Sequence, residues 1–263
     1  MKAVSREPMS RPGEALALQG GEEVGCLAEL HSHSRASDGK PTPEEIVVTA
    51  AKLGLRAIAV SDHNTFRGSA LALRAARDLE LDIYPIPANE VRTSRGDVLV
   101  LCPSLPDEDP PGGIDPRELR KWSDERGCIM IAAHPFHPGR KSVGLYMLRN
   151  HEVFDAVEVW NPRGIPLLNY PAERFARSKG MPMTSGSDAH VLSELGEAPT
   201  VINAATCRPE DVIEAIRRGR CSPTRGLMRL SALREAIAWS FERRLRPSGP
   251  WLAAPLGDLK SGL

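Results

Sequence analysis

The chain has 263 residues, of which 41% are hydrophobic and 26% are charged, a composition typical of a globular protein that buries a sizeable core. Its 34 basic and 34 acidic residues cancel, so no overall charge attracts it to nucleic acid or to an anionic membrane. No stretch approaches the ~18 consecutive apolar residues of a membrane span, and the first residues lack the apolar segment of a signal peptide. We therefore expect a cytoplasmic protein that does not bind membranes.

The five cysteines are Cys26, Cys102, Cys128, Cys207 and Cys221. Their number is odd, they are widely spaced, and no C-x-x-C pair occurs among them. This spacing predicts neither a zinc knuckle nor an obvious disulfide framework, and it agrees with a reducing compartment.

From about residue 25, short apolar or β-branched runs alternate with helical stretches, as in a parallel α/β fold. Seven runs are predicted strands: Gly25 to His33, Ala57 to Ser61, Asp82 to Val91, Asp97 to Leu101, Cys128 to His134, Ala156 to Trp160 and Met181 to Ser187. Five helices are predicted: Thr42 to Leu53, Phe66 to Leu79, Asp115 to Arg126, Leu167 to Lys179 and Pro209 to Arg218. The first has the clearest start, because Thr42 can cap it, Pro43 suits the first helical position and Glu45 completes a capping box.

The two ends of the chain differ in composition from the body between them. Residues 1–24 are rich in Gly, Pro, Arg and Glu, which predicts a flexible leader before a domain at 25–225. Residues 226–263 are predicted to be a basic helical extension, with Leu230, Leu233, Ile237 and Phe241 at helical spacing. We expect this helix to pack on the domain with its charges in solvent, the alternative being a basic contact surface for nucleic acid.

Histidine and carboxylate residues stand at the ends of most predicted strands. His31 and His33 close the first strand two residues apart, so both side chains project from the same face. The others are Asp38 after the first strand, Asp62 and His63 after the second, Glu90 at the third, His134 at the fifth, and Asp188 and His190 at the last. Any one of them fits a capping aspartate or a hydrogen-bonded buried histidine. Together they predict a metal site, because the carboxyl ends of barrel strands share one face and these groups suit zinc, manganese or iron.

These motifs resemble the PHP (polymerase and histidinol phosphatase) domain family. The segments that carry the resemblance are L-H-S-H-S-R-A-S-D-G at 30–39, A-V-S-D-H-N-T at 59–65, N-E-V at 89–91, A-A-H-P at 132–135 and G-S-D-A-H at 186–190, all in the order of the family. The resemblance covers about residues 25–225. It implies a distorted (β/α)7 barrel and two or three divalent metal ions, either Mn, Zn or Fe.

The resemblance also implies a ligand set. It puts His31, His33, Glu90 and Asp188 around one ion. Glu90 would bridge to a second ion that His134 also holds, and Asp38, His63 and His190 would hold a third. The chain departs from the pattern at Asp97, in R-G-D-V-L, where many members have a histidine. Either Asp97 ligates through oxygen or the second ion binds more weakly.

Clustered divalent ions lower the pKa of bound water from ~15.7 toward about 7 and neutralise phosphoryl oxygens, which suits the hydrolysis of phosphoesters. Arg163, just past a strand end, is the predicted phosphate clamp, since a guanidinium can pair with two oxygens at once. His137 is the predicted general acid, and Arg92 and Arg95 are further candidates for anion contact. Asp62 is expected to orient a ligand or to cap a helix.

The chain contains no G-x-x-x-x-G-K-[ST], G-x-G-x-x-G or G-x-S-x-G motif, so it lacks the usual phosphate cradles and the nucleophile elbow. The leading hypothesis is a metal-dependent phosphoesterase acting on nucleotides or on the ends of short oligonucleotides. The alternatives are a small-molecule phosphatase of the histidinol-phosphate type, an amidohydrolase-type deaminase or amidase, and a non-catalytic PHP scaffold. The sequence predicts no particular oligomeric state.

Overall fold

The computed structural model describes residues 24–245. Within them the strands are β1 (Val24–Glu29), β2 (Ala57–Val60), β3 (Tyr84–Thr93), β4 (Gly96–Leu101), β5 (Ile129–Ala132), β6 (Ala156–Trp160), β7 (Met183–Ser185), β8 (Thr200–Ala204) and β9 (Cys221–Pro223). The α-helices are α1 (Pro43–Lys52), α2 (Arg67–Asp78), α3 (Pro116–Asp124), α4 (Gly144–Met147), α5 (Asn169–Lys179), α6 (Pro209–Arg217) and α7 (Leu230–Leu245). Apart from residue 24, the predicted leader lies outside the described residues, as does 246–263 of the predicted extension.

The nine strands form one sheet in the order β7-β6-β5-β4-β3-β2-β1-β8-β9. The two ends of this sheet meet through side chains. Ser185 of β7 donates its backbone N–H to Thr200 Oγ1 at 2.8 Å and accepts the N–H of Thr224 at 3.0 Å. Helices cover the outside. The predicted distorted α/β barrel is therefore confirmed.

All seven predicted strands are present, but β8 and β9 were not predicted. The strand β4 also runs antiparallel to both of its neighbours, whereas the alternation of strands and helices predicted a parallel arrangement. Only Ser94 and Arg95 separate β3 from β4, and a parallel crossover needs about a dozen residues. The short connection therefore makes a hairpin, and Gly96 adopts a φ of 132° at its end.

The barrel interior changes from apolar to charged along each strand. On β3, Ile86 and Ala88 belong to the buried apolar cluster of the interior, and Glu90 follows them on the same face. On β6, Ala156 in this cluster is followed by Glu158 in the same way. The apolar part of the interior is thus followed along these strands by buried carboxylates, with Glu90 in the last four residues of β3 and Glu158 in the middle of β6.

Helix α7 packs on the domain as expected, but through a different face from the predicted one. Ala232, Ala236 and Trp239 are buried, with Val191 against the last two. The four residues singled out from the sequence are 43–74% exposed; they are Leu230, Leu233, Ile237 and Phe241. The buried face carries Trp239, whose indole N–H donates to the carbonyl oxygen of Asp38 at 2.9 Å.

The expectation of no disulfide framework was wrong for four of the five cysteines. The fold pairs Cys26 with Cys207 and Cys102 with Cys128, at Cα–Cα distances of 5.6 and 4.1 Å, although 181 and 26 residues separate the partners. Cys221 is not in a disulfide. In residues 24–245, no helix combines the length and apolar character needed to cross a membrane.

Candidate metal centre

The predicted ligands come together at one end of the barrel. His31 and His33 follow β1, His63 follows β2, and His134 follows β5. The segment after β7 runs beside the segment after β1, where Ser32 bridges to Ala189 and the backbone N–H of His33 donates to the carbonyl oxygen of Ala189 at 2.8 Å. This pairing places Asp188 and His190 next to the histidine pair.

Glu90 is the carboxylate that faces most of the histidines. Its Oε2 atom lies 3.0 Å from His63 Nδ1 and 3.2 Å from His33 Nε2, and its Oε1 atom lies 3.2 Å from His134 Nε2. Asp188 Oδ1 lies 3.3 Å from His33 Nε2. Buried in the centre of the cluster, Glu90 is thus in position to bridge neighbouring ions.

The donor atoms form four overlapping groups in the described part of the chain. The atoms of each group lie within 4.8 Å of one another, and the groups are His31, Glu90 and His134; His31, His33 and Asp188; His33, Asp38 and His190; and His33, His63 and Glu90. They contain all eight predicted ligands other than Asp97. Three groups match part of the arrangement that the PHP resemblance implies, since Asp188 lies with His31 and His33, His134 with Glu90, and Asp38 with His190. The groups differ from that arrangement in that Glu90 is absent from the first, His31 and His33 join the other two, and His63 lies closer to Glu90 than to Asp38.

The unsatisfied atoms in the cluster fit divalent ions. Within the four groups, the buried donor atoms that have no hydrogen-bond partner in the described residues are His31 Nε2, both ring nitrogens of His33, Asp38 Oδ1, His63 Nδ1 and His134 Nδ1. A buried polar atom without a partner costs about 1–3 kcal/mol, and a bound cation satisfies imidazole and carboxylate groups together. Nitrogen and oxygen donors of this kind suit zinc, manganese and iron.

Two of the predicted ligands have left-handed backbone conformations. His134 has a φ of 29° and Asp188 a φ of 50°, a region that is uncommon for residues other than glycine. Such conformations persist where the surrounding structure enforces them, and they cluster at functional sites. Local backbone strain at these two residues therefore accompanies the placement of their side chains in the cluster.

The electrostatics of the cluster separates neutral from charged groups. Burial disfavours the charge of Glu90 and of Asp188, but neighbouring histidines, and Arg140 beside Asp188, hold the pKa of both carboxyls well below the usual range. Burial lowers the pKa of His63 and of His190 to about 4, so both imidazoles are neutral at pH 7 and able to coordinate.

His33 differs from the other two. Burial acts to lower its pKa, but the nearby carboxylates of Asp188 and Glu90, together with that of Asp38, outweigh burial and raise the pKa to about 10. In the protein without metal, the imidazole of His33 is therefore protonated at neutral pH and lies between two carboxylates.

Two carboxylates support the cluster from behind. Glu158, which the sequence reasoning missed, accepts a hydrogen bond from His31 Nδ1 at 2.8 Å and another from the backbone N–H of His134 at 2.7 Å. Its signal was a glutamate in the middle of the buried strand A-V-E-V-W. Asp62 accepts from the backbone and hydroxyl of Ser34 at 2.8 and 2.6 Å and thereby orders the loop that carries Asp38.

Asp97 lies apart from the four groups. It is buried, and its Oδ1 atom has no hydrogen-bond partner within the described residues. Burial and then the charge of Glu90 raise its pKa to about 7. It therefore lies near the centre electrostatically without joining the convergent donors, and its role as a ligand stays a prediction.

The predicted catalytic and substrate residues occupy different positions. Arg163 donates to Glu194 Oε2 at 2.9 Å and to the carbonyl oxygen of Asp188 at 3.3 Å, at the edge of the centre. His137 is buried, donates from Nε2 to Asn169 Oδ1 at 2.9 Å, and has its pKa lowered by burial.

Two arginines of the β3–β4 hairpin were also candidates. The positive charge of Arg92 acts to lower the pKa of both His63 and Asp97. Arg95, in contrast, is exposed at the tip of the turn. The sequence reasoning missed Arg140, which forms an ion pair with the side chain of Asp188. This contact joins residues 48 positions apart, so no local pattern indicated it.

In this barrel, imidazole and carboxylate donors converge toward the carboxyl ends of the strands. This arrangement is typical of metal-dependent hydrolases. The profile of the PHP domain matches residues 29–143, and the PHP-associated profile matches residues 166–221. The chain therefore contains a PHP domain, as its motifs predicted.

Two relatives show how far sequence similarity extends. An uncharacterised protein of Methanocaldococcus jannaschii is 29% identical over 149 residues, which are 51% of this chain and 81% of that protein. An error-prone DNA polymerase of Mycobacterium bovis is 41% identical over 112 residues, which are 40% of this chain but 9% of the polymerase. The second match thus concerns one domain of a much longer protein.

Solved structures show the same fold at low sequence identity. A two-domain protein from Bacteroides vulgatus, described as containing a predicted PHP-like metal-dependent phosphoesterase, has a TM-score of 0.66 at 19% identity and covers 90% of this chain and 75% of its own. Endonuclease Q, in complex with a 27-mer duplex that carries an abasic lesion, has a TM-score of 0.54 at 17% identity, with coverages of 74% and 57%.

Proposed function

We propose that this protein is a metal-dependent phosphoesterase that hydrolyses phosphate esters, with nucleotides or the ends of short oligonucleotides as the favoured substrates. The observation that carries the proposal is the convergence of eight buried or half-buried histidine and carboxylate side chains in four overlapping groups. Single structural histidines would hydrogen-bond to their surroundings, whereas these leave six ring or carboxylate atoms without partners in residues 24–245.

The proposed ligands divide among two or three divalent ions, either Mn, Zn or Fe. His31, His33 and Asp188 would hold one, Glu90 and His134 with His31 a second, and Asp38 and His190 with His33 a third, with His63 between the last two. Asp97 would add an oxygen to the second. When bound, such ions supply a metal-activated water and neutralise the oxygens of the phosphoryl group.

Two arginines favour an anionic substrate at this centre. Arg140 pairs with the carboxylate of Asp188, and Arg163 donates to the carbonyl oxygen of the same residue. Both guanidinium groups therefore border one proposed ligand, where their planar donors can pair with phosphoryl oxygens. We propose Arg140 and Arg163 as the phosphate clamp, with Arg92 contributing positive charge and Arg95 contacting the more distant part of a longer substrate.

For the proton of the leaving oxygen we propose His137, whose ring centroid lies 6.5 Å from that of His134. Gly164 makes room for it, because a Cβ atom at that position would lie 2.0 Å from the His137 ring. Burial lowers the pKa of this imidazole below 6.5, so the protonated fraction falls as the pH rises through that lowered value. This role predicts activity that declines on the alkaline side.

The nucleotide or oligonucleotide preference draws on the relatives. Endonuclease Q, which shares the fold, is bound to duplex DNA, and the mycobacterial relative is a DNA polymerase. Because basic and acidic residues of this chain cancel, any contact with a phosphate backbone must come from a local basic rim such as the arginines around Asp188.

The test begins with protein purified without chelator. Bound Mn, Fe and Zn per chain are quantified, and hydrolysis is measured with p-nitrophenyl phosphate, bis-p-nitrophenyl phosphate, mononucleotides and short oligonucleotides. His33→Ala and Asp188→Ala are compared with His151→Ala, which removes a histidine outside the four groups. We expect at least two ions in the parent protein, and loss of both metal and turnover only in the first two variants.

Three outcomes would contradict the proposal. Failure to bind metal after reconstitution, with no turnover, would favour the scaffold hypothesis. Metal binding with hydrolysis of amides or amidines alone would favour an amidohydrolase-type enzyme. Turnover restricted to small phosphate monoesters that are not nucleotides would favour a phosphatase of the histidinol-phosphate type.

A further inference from the structure

Helix α7 contacts the metal centre although residues 230–245 lie outside both matched family segments, which end at residues 143 and 221. Arg243 Nη1 lies 2.6 Å from Asp38 Oδ2, and the indole N–H of Trp239 donates to the carbonyl oxygen of Asp38 at 2.9 Å. One turn of this helix therefore holds both the side chain and the main chain of a predicted ligand.

The helix is fixed across the two loops that carry Asp38 and His190. Glu235 accepts hydrogen bonds from Lys40 at 3.3 Å and from Ser193 at 2.6 Å, and these partners are two and three residues after the respective ligands. Trp239 is 5% exposed, so the helix is also anchored by apolar burial. Helix α7 thus ties one ligand loop to the other.

The carboxylate of Asp38 is divided between the centre and the helix. Its Oδ1 atom faces His190 Nε2 at 3.2 Å and His33 Nδ1 at 3.7 Å, while Oδ2 is occupied by Arg243. Side-chain exposure is 28% for Asp38 but 1% for Glu90. The most exposed carboxylate of the centre is therefore the one whose orientation depends on α7.

We propose that α7 is a structural part of the metal centre, in which Arg243 and Trp239 are positioning residues that aim Asp38 Oδ1 at the ion shared with His33 and His190. The inference rests on the proposed function, because Asp38 acts as a ligand only if the centre binds metal. Groups that orient metal ligands typically contribute 10- to 100-fold to metal affinity. The guanidinium acts on the outer oxygen and leaves the inner oxygen for the ion.

The test compares Arg243→Ala and Trp239→Phe with Arg244→Ala. The control removes the adjacent arginine, which is exposed and lies over Phe241. Manganese binding is titrated on the full chain by electron paramagnetic resonance of the unbound ion, which gives the number of ions and the dissociation constant of each. Thermal melts confirm folding, and kcat and KM are measured at limiting and at excess manganese.

For Arg243→Ala we expect one ion to bind about 10- to 100-fold more weakly, with the remaining ions unchanged and kcat recovered at excess manganese. Trp239→Phe should change the same ion in the same direction, and Arg244→Ala should match the parent protein. Unchanged affinities in Arg243→Ala would overturn the inference. A raised KM with unchanged metal binding would also overturn it, because Arg243 would then be a substrate contact. Tighter metal binding in Arg243→Ala would overturn it as well, because repulsion between the guanidinium and the ion would then outweigh any positioning of Asp38. If the parent protein binds no ion, the proposed function itself fails, and this result appears without any variant.

Discussion

Glu158 Oε1 lies 2.8 Å from His31 Nδ1, and both side chains are fully buried. A carboxylate can only accept in this contact, so His31 donates from Nδ1 and keeps the lone pair of Nε2 for the centre. The same glutamate holds the backbone N–H of His134. One carboxylate behind the centre thus orients two of the proposed ligands.

We therefore expect Glu158→Ala to weaken binding of the ions held by His31 by about 10- to 100-fold. Glu158→Gln should have a smaller effect, because its amide oxygen can still accept from Nδ1. The measurement is a manganese titration of both variants, with Glu152→Gln, at an exposed position, as the control. An unaltered affinity in Glu158→Ala would remove the orienting role.

The convergence of the proposed ligands was predictable from the sequence because the position of each depends on local information. His31 and His33 follow the end of β1, and Glu90 lies in the last four residues of β3. The strand alternation that places them depends on only a few consecutive residues. Strands β8 and β9 were not predicted. They are short, and Val201 in β8 is 39% exposed, so no continuous apolar run marks them.

The supporting contacts were not predictable because they join distant parts of the chain. The ion pairs of Arg140 with Asp188 and of Arg243 with Asp38 span 48 and 205 positions. The face of α7 could not be chosen from spacing either, since Leu230 and its neighbours repeat as regularly as Ala232, Ala236 and Trp239. The buried face is the one that carries Trp239, whose indole N–H donates to the carbonyl oxygen of Asp38.

Metal binding should release protons near neutral pH. In the protein without metal the pKa of His33 is raised to about 10, so the imidazole is protonated at pH 8 and must lose its proton to coordinate. Below about pH 10 the folded protein without metal keeps the proton on His33. A metal ion must displace this proton, and displacement becomes easier as the pH rises, so apparent metal affinity should increase from pH 6 to pH 9.

Calorimetric titration with manganese in two buffers of different ionisation enthalpy measures this release. We expect at least one proton per chain at pH 8, and fewer in His33→Ala. An enthalpy that is independent of the buffer would show that His33 is already neutral before the metal binds.

Asp97 offers a test of the second proposed ion. Burial and the charge of Glu90 raise its pKa to about 7, so a nearby cation should favour its ionised form. We expect Asp97→Ala to weaken one ion without affecting the others. Asp97→His should bind that ion more tightly than the parent protein, because a neutral imidazole coordinates without the repulsion from Glu90. Equal metal content and affinity in all three proteins would place Asp97 outside the ligand set.

Arg140 is expected to contact the phosphoryl group. Hydrogen bonds to charged groups contribute about 1.5–3 kcal/mol, so Arg140→Ala should lower kcat/KM about 10- to 100-fold for phosphoesters. Arg149→Ala, which removes an exposed arginine nearby in sequence, should not. Because Arg140 also pairs with Asp188, metal content is measured alongside. A loss of metal equal to the loss of activity would reassign Arg140 to positioning Asp188.

The disulfides predict the number of reactive thiols. Cys26–Cys207 and Cys102–Cys128 leave Cys221 as the single thiol among the five cysteines, so titration with a thiol reagent in denaturant should count one per chain, rising to five after reduction. Closing loops of 26 and 181 residues is expected to contribute about 3.5 and about 5 kcal/mol in the chain-entropy picture. Denaturant unfolding should therefore show a larger loss of stability in Cys26→Ser/Cys207→Ser than in Cys102→Ser/Cys128→Ser, and almost none in Cys221→Ser. Five thiols in protein purified without reductant would contradict both pairings.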